Sequence, residues 1–283
     1  MSGEKRKAGP ADPDDGRTAG LPLSFTTDYA GADRFPTPDE YAAMADAGFR
    51  AIHWCQHWTG QPVLYDGPGA DSLAATLRQC GLELADVHGY CAGHKDFPCT
   101  DELLVTVNLN RIEFAQRLGG RAVVLHLPPA PDAGPRGLAR SRQILRALEP
   151  AARRAGVVLA LENLPGAAAT DEPFLDAVFS EFPPDLVGFC YDTGHALIAS
   201  QTGMLRRYIG RLVVTHLHDN DGSSDQHLLP GRGKVDWPAV LGTIKDSAYA
   251  GTLNLEVHQE EGLAPDAFIR KAHDVLLALW EQC

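Results

Sequence analysis

The stretch Leu159-Ala160-Leu161-Glu162-Asn163 runs apolar residues straight into a carboxylate, and the same pattern recurs along the chain. Val87-His88, Val123-Val124-Leu125-His126, Cys190-Tyr191-Asp192, Val213-Val214-Thr215-His216 and Leu253-Asn254-Leu255-Glu256 repeat it at intervals of roughly thirty residues. That interval fits one strand plus one helix, and each polar residue stands where a strand would stop. Runs this apolar suit strands buried on both faces of a parallel sheet. Eight of them, near 21–26, 51–55, 82–88, 121–126, 157–162, 187–191, 211–217 and 252–257, predict an α/β fold, a single closed (β/α)8 TIM barrel. In such a barrel the strand ends converge on one mouth, where the chemistry is kept. Six acidic or imidazole side chains aimed at one cavity would repel or stay unpaired without a cation between them, so the pattern predicts a metalloenzyme.

Between the runs, Pro38–Ala47, Asp71–Cys80, Glu102–Leu118, Gly137–Ala155 and Pro265–Trp280 read as amphipathic helices, with a short one near 201–209. Gly48, Gly81, Gly119 and Gly156 fall just past four of these, where a left-handed residue ends a helix. Residues 1–20 are Gly, Pro, Asp, Lys and Arg with almost no apolar content, and predict a disordered leader ahead of one barrel over 21–283. A chain of 283 residues accommodates that barrel comfortably.

With 25 basic and 37 acidic residues the formal charge is −12, which disfavours nucleic acid and anionic membranes as partners. The six cysteines are scattered with no C-x-x-C pair, and no secretory leader pattern precedes them. These features predict a reduced, cytoplasmic protein. No apolar stretch approaches the roughly 18 residues of a membrane span.

Asp192-Thr193-Gly194-His195 puts two donor residues across one tight turn after a strand, although an Asp there also serves as a helix N-cap. The densest segment runs from Thr215 to Trp237. His216 and His218, two apart, share a strand face, and Asp225 and His227 follow on a glycine-flanked loop. Arg232 and Lys234 on the same loop are candidates to neutralise a substrate phosphate or carboxylate. His53, His57, His94, His258 and His273 lack comparable context and read as surface or packing residues.

The set His88-Gly-Tyr, Leu-His126, Leu-Glu162-Asn, Asp192-Thr-Gly-His195, His216-Leu-His-Asp, Asp225-x-His227 with its Gly-x-Gly, and Glu256 resembles the xylose-isomerase-like TIM barrel superfamily. That group joins sugar and sugar-phosphate isomerases and epimerases with endonuclease IV-type nucleases. Along the isomerase branch, the resemblance implies one divalent metal, Mn²⁺, Co²⁺ or Mg²⁺, on Glu162, Asp192, His216 and Glu256. Glu162 and Glu256 would then carry protons to and from a sugar-like substrate through an enediolate. His195 would bond a substrate hydroxyl, His88 and His126 would line the pocket, and a homodimer would be in keeping with the group. A metal-dependent dehydratase or lyase would use the same four ligands.

Along the nuclease branch, the resemblance implies three Zn²⁺ ions for phosphodiester cleavage. His88, His126 and Glu162 would hold one. Glu162, Asp192, His216 and Glu256 would hold the second, and His195, Asp225 and His227 the third. The isomerase or epimerase is preferred on the acidic charge and on the short segment between His216 and Asp225. The residues at which ketose 3-epimerases of the group carry a glutamate and an arginine are Ala168 and Gly222 here, which argues against that particular activity.

Overall fold

A computed structural model describes residues 21–31, 34–55, 64–90, 100–127, 135–165 and 171–283. Eight strands form one sheet: β1 (Leu23–Thr26), β2 (Ala51–Trp54), β3 (Glu83–His88), β4 (Ala122–Leu125), β5 (Val158–Glu162), β6 (Val187–Asp192), β7 (Leu212–His216) and β8 (Leu253–Leu255). Every pairing is parallel, in the order β7-β6-β5-β4-β3-β2-β1-β8. The two edges meet through Leu217, which bridges Leu255 and donates its N–H to the Asn254 carbonyl at 2.8 Å. The fold is the (β/α)8 TIM barrel that the apolar runs predict. The leader at 1–20, together with His57 and His94, lies outside the described residues.

The helices are α1 (Pro38–Ala47), α2 (Gly67–Cys80), α3 (Asp101–Leu118), α4 (Pro135–Ala155), α5 (Glu172–Glu181), α6 (Thr193–Ile198), α7 (Met204–Tyr208), α8 (Trp237–Lys245) and α9 (Pro265–Gln282). Helix α7 falls within the span near 201–209 expected to be helical, and a 3-10 turn, Ile209–Arg211, follows it. Helix α2 starts four residues before the expected Asp71. Its N-cap is Asp66, whose side chain accepts the Gly69 N–H at 2.6 Å, and a proline in the first turn needs no donor there. The four glycines expected to end α1 to α4 all have positive φ, from 66° at Gly156 to 114° at Gly48.

Strand alternation sorts side chains into two packed layers. Ile52, Val123, Leu125, Leu159, Leu161, Phe189 and Tyr191 join the core between strands and helices. Ala122, Val124, Ala160, Cys190 and Val214 form a separate small cluster inside the barrel. Small interior residues let the strands close around a narrow centre, which leaves the strand ends to polar groups. Parallel pairing sets Asp192 directly against His216, and Glu162 against Cys190. The candidate residues on β5, β6 and β7 therefore reach the same end of the barrel.

The entry to α1 carries a measurable electrostatic contribution. Glu40 accepts from both Arg34 terminal nitrogens at 2.8 and 2.7 Å and from the Thr37 N–H at 2.7 Å, while Tyr29 donates its hydroxyl. Burial alone would raise the Glu40 pKa, but Arg34 and Thr37 outweigh it and hold the carboxyl at about 2 rather than 4.5. A depressed carboxyl contributes stability that is present above its unfolded pKa and lost as pH falls through the folded one. Glu40→Gln is therefore expected to lower stability by about 1–2 kcal/mol at neutral pH in urea unfolding. The gap to wild type should narrow between pH 4.5 and about 2; a gap independent of pH would contradict this account.

Candidate metal centre

Four side chains, three from the ends of β5, β6 and β7 and one from the residue just past β8, meet at the C-terminal end of the barrel. Glu162, Asp192, His216 and Glu256 place one donor atom each within 4.8 Å of all the others, and all four are buried. His216 Nδ1 lies 3.2 Å from Glu162 Oε1, 3.0 Å from Glu256 Oε2 and 3.9 Å from Asp192 Oδ2. Burial by itself disfavours an imidazolium, but Cys190, Glu256 and Glu162 beside it outweigh burial and hold the His216 pKa well above its usual value. Burial would likewise raise Glu162 and Glu256, yet His216 beside them keeps both far below the usual carboxylate range. Three buried carboxylates thus surround one imidazole.

A second group shares Glu162. His126 Nε2 lies 2.7 Å from Glu162 Oε2, and His88 Nε2 lies 3.6 Å from the same oxygen. A third gathers beside Asp192: the donor atoms of His218, Asp225 and His227 lie within 4.8 Å of one another. His195 reaches this group too, with Nε2 at 3.1 Å from Asp225 Oδ2. The sequence reading grouped His195, Asp225 and His227; the structure adds His218, whose ring stacks on His227 at 4.1 Å. Asp192 also caps α6, taking the His195 N–H at 2.6 Å, while its carboxylate stays within the four-residue group.

The imidazoles are oriented from behind. His88 Nδ1 donates to the Gly89 carbonyl at 2.9 Å, His195 Nδ1 to Asn163 at 3.0 Å and His227 Nδ1 to Glu256 at 2.8 Å. In each case Nε2 is left facing a carboxylate, the arrangement by which proteins fix metal-binding histidines. His227 adopts φ +47°, an uncommon left-handed conformation for a side-chain-bearing residue. Asp225 is held well below its usual range because His195 and His227 outweigh burial, and His227 is raised to about 10, Asp225 outweighing burial there.

Two residues that the sequence reading set aside as packing belong here. His53 is fully buried with its Nδ1 bonded to Asp86 and its Nε2 3.7 Å from Glu256 Oε1. His258 stacks on His227 with ring centres 4.5 Å apart. His273 packs edge-on against Phe49, as a packing residue would. Arg232 is the reverse case: its side chain is 59% exposed and lies 3.5 Å from Glu260. Lys234 lines a different cavity, beside Tyr191 and Thr193. A cavity of about 730 Å³ opens onto the centre and is lined by Asp28, Asp225, Glu256, Glu260 and Glu261 together with His227 and His258.

The chain belongs to the xylose isomerase-like TIM barrel family, whose model matches residues 41–279. It is 34% identical over 183 residues to the uncharacterised protein y4fM of Sinorhizobium fredii, covering 61% of this chain and 58% of that protein. It is 28% identical over 132 residues to inosose dehydratase of Bacillus licheniformis, covering 40% of this chain and 44% of the dehydratase. These alignments thus span about half the length of either relative. Among solved structures, the IolI protein with a bound zinc atom superposes with a TM-score of 0.73 at 17% identity, covering 93% of this chain and 99% of that one. The 3-keto-D-glucoside 4-epimerase YcjR of E. coli superposes at 0.67 and 18% identity, covering 93% and 100%. At such identities the superpositions bear on the fold.

The loop that brings Asp225 and His227 to the centre is organised by Asp219. This buried carboxylate accepts N–H groups from Asn220, Gly231 and Val235 at 3.0, 2.8 and 3.0 Å, and the Trp237 indole N–H at 2.9 Å. A Cβ at Gly233 would run into Asn220 and the Asp219 carboxylate, which accounts for the second glycine of the Gly-x-Gly. Charge-assisted bonds contribute about 1.5–3 kcal/mol each, and four donors would be stranded together. Asp219→Ala is therefore expected to cost at least about 3 kcal/mol in denaturant unfolding; a loss under about 1 kcal/mol would remove this role.

Proposed function

We propose that the protein is a divalent-metal-dependent isomerase or epimerase of a sugar-like substrate, acting by proton transfer beside a carbonyl. The observation that supports it most is the pair Glu162 and Glu256. They stand at the end of β5 and just past β8, flank one imidazole at 3.2 and 3.0 Å, and are kept ionised although buried. The donor set suits a divalent cation: three carboxylates and one imidazole, all within reach of a common point, with His216 Nδ1 facing the carboxylates. Glu162, Asp192, His216 and Glu256 would hold the ion. A bound divalent ion supplies Lewis acidity to adjacent oxygens of a hydroxy-carbonyl substrate.

The remaining work falls to the chain's own groups. One of Glu162 and Glu256 removes the carbon-bound proton, and the other delivers a proton to the enediolate, which epimerises the carbon or moves the carbonyl. His195, fixed through Nδ1, offers Nε2 to a substrate hydroxyl. The inosose dehydratase relative and the epimerase of the same fold both fit a polyhydroxylated carbon substrate. Elimination instead of reprotonation would use the same residues and give the dehydratase form of this reading.

Glu162→Gln and Glu256→Gln are each expected to lower turnover by at least about a hundredfold while leaving the far-ultraviolet circular dichroism unchanged. The assay is proton exchange from sugars and polyols into deuterated water by the metal-loaded protein. Wild-type exchange in either variant would remove that residue from the proton path.

One observation favours a second reading. Glu162 is common to the His88–His126 group and the four-residue group, and His218, Asp225 and His227 form a third beside them, three groups being what the resemblance to trinuclear zinc nucleases implies. Elemental analysis of protein purified without chelator or added metal separates the two. About one labile ion per chain agrees with the isomerase. In that case Asp225→Asn with His227→Gln leaves most exchange activity in place. Three tightly held zinc ions, with cleavage of abasic-site DNA lost in that double variant, would replace the isomerase by the hydrolase.

A further inference from the structure

We propose that His53 is a further protein ligand at this centre, presented through Nε2 on the side of His216 and Glu256 and held in place by Asp86. The inference rests on the reading of the centre as a metal site.

Its first support is in the backbone. Strands β2 and β3 pair Ala51 with Glu83 and Ile52 with Leu84, then slip by one residue so that His53 pairs with Asp86. Irregularities of this kind re-aim side chains beside functional sites. The slip sets the Asp86 carboxylate against His53 Nδ1, where the two bond. Packing alone gives no reason to put a carboxylate and an imidazole side by side inside a barrel wall.

The second support is the other nitrogen. His53 is fully buried, and its Nε2 has no hydrogen-bond partner. It faces Glu256 Oε1 at 3.7 Å, which is too long for a hydrogen bond. Two donors to one cation, each about 2.0–2.2 Å from it, stand about 3–4 Å apart. The donor atoms of His53, His216 and Glu256 all lie within 4.8 Å of one another. A histidine that served only to pack would be expected to satisfy both of its nitrogens.

The third support is the company it keeps. His88, His195 and His227 each donate Nδ1 to a backbone carbonyl and turn Nε2 toward the centre. His53 follows the same rule with a carboxylate in the place of the carbonyl. An acidic acceptor behind a histidine raises its basicity as a ligand, so Asp86 is a positioning residue whose effect runs through His53.

The test uses Co²⁺ as the probe on the full-length chain, stripped with chelator and reloaded at half an equivalent. Wild-type protein should show two exchangeable, hyperfine-shifted imidazole N–H resonances, one from His216 and one from His53. His53→Gln should lose one of them, bind Co²⁺ about a hundredfold more weakly and change its visible absorption. Asp86→Asn should retain both ligands, shift the His53 resonance and weaken binding about tenfold to a hundredfold. Unchanged affinity and spectrum in His53→Gln, with wild type binding cobalt, would overturn the role of His53 and leave the metal reading standing. No cobalt bound by the wild type would overturn both. Should His53→Gln not fold, Asp86→Asn decides: unchanged resonances and affinity in that variant would also overturn the proposal.

Discussion

The site depends on mutual repulsion among three buried carboxylates. Glu162, Asp192 and Glu256 converge around His216 at the end of the barrel, each with almost no access to water. Like charges about 4 Å apart cost each other roughly 4 kcal/mol at an effective dielectric near 20. The His216 imidazolium offsets part of this, and the raised imidazoles of His53, His195 and His227 stand around it. A cation drawn among the carboxylates would relieve the repulsion further, and the donor set suits one. The surrounding histidines, fixed from behind by backbone carbonyls, keep their second nitrogens directed at the same region.

The barrel prepares this convergence with few residues. Small side chains fill its interior, so the strand ends come close without a large residue between them. Asn163 extends the pairing past the end of β5: its side-chain oxygen accepts the Asp192 N–H at 2.8 Å, and its amide donates to the Asp192 carbonyl at 2.8 Å. The side chain thus acts as one more rung between β5 and β6, and Asp192 is held beside Glu162. Gly194 lets the chain turn at once into α6, since a Cβ there would collide with the His218 ring.

The eight strands and the residues at their ends were legible because a buried parallel strand has a simple signature, an apolar run broken by one polar residue. His53 and Asp86 were not, for a physical reason: they sit within their runs and not at the ends. In Ala51-Ile52-His53-Trp54, the neighbours Ile52 and Trp54 face the helices and hide an inward-pointing imidazole. Reading alternate residues instead of run ends would have exposed both. The early start of α2 was hidden because Asp66, its cap, precedes two glycines and a proline that break any helical period. Charge on a loop says nothing about where a side chain points, and Arg232 lies 3.5 Å from Glu260 at the edge of the cavity.

The centre and its approach favour different chemistries, and the contrast bears on what enters. Three donor groups side by side are the observation behind the hydrolase reading. The cavity leading to them presents Asp28, Asp225, Glu256, Glu260 and Glu261. At that rim Glu260 lies against both Arg232 and Lys271. A phosphate would have to pass these carboxylates against a chain carrying a formal charge of −12. A neutral polyhydroxylated molecule meets the same groups as hydrogen-bond acceptors for its hydroxyls. The electrostatics of the entrance therefore weigh toward the isomerase or dehydratase reading. For the hydrolase reading to prevail, bound metal would have to reverse the sign of the potential at the mouth as well as at the centre.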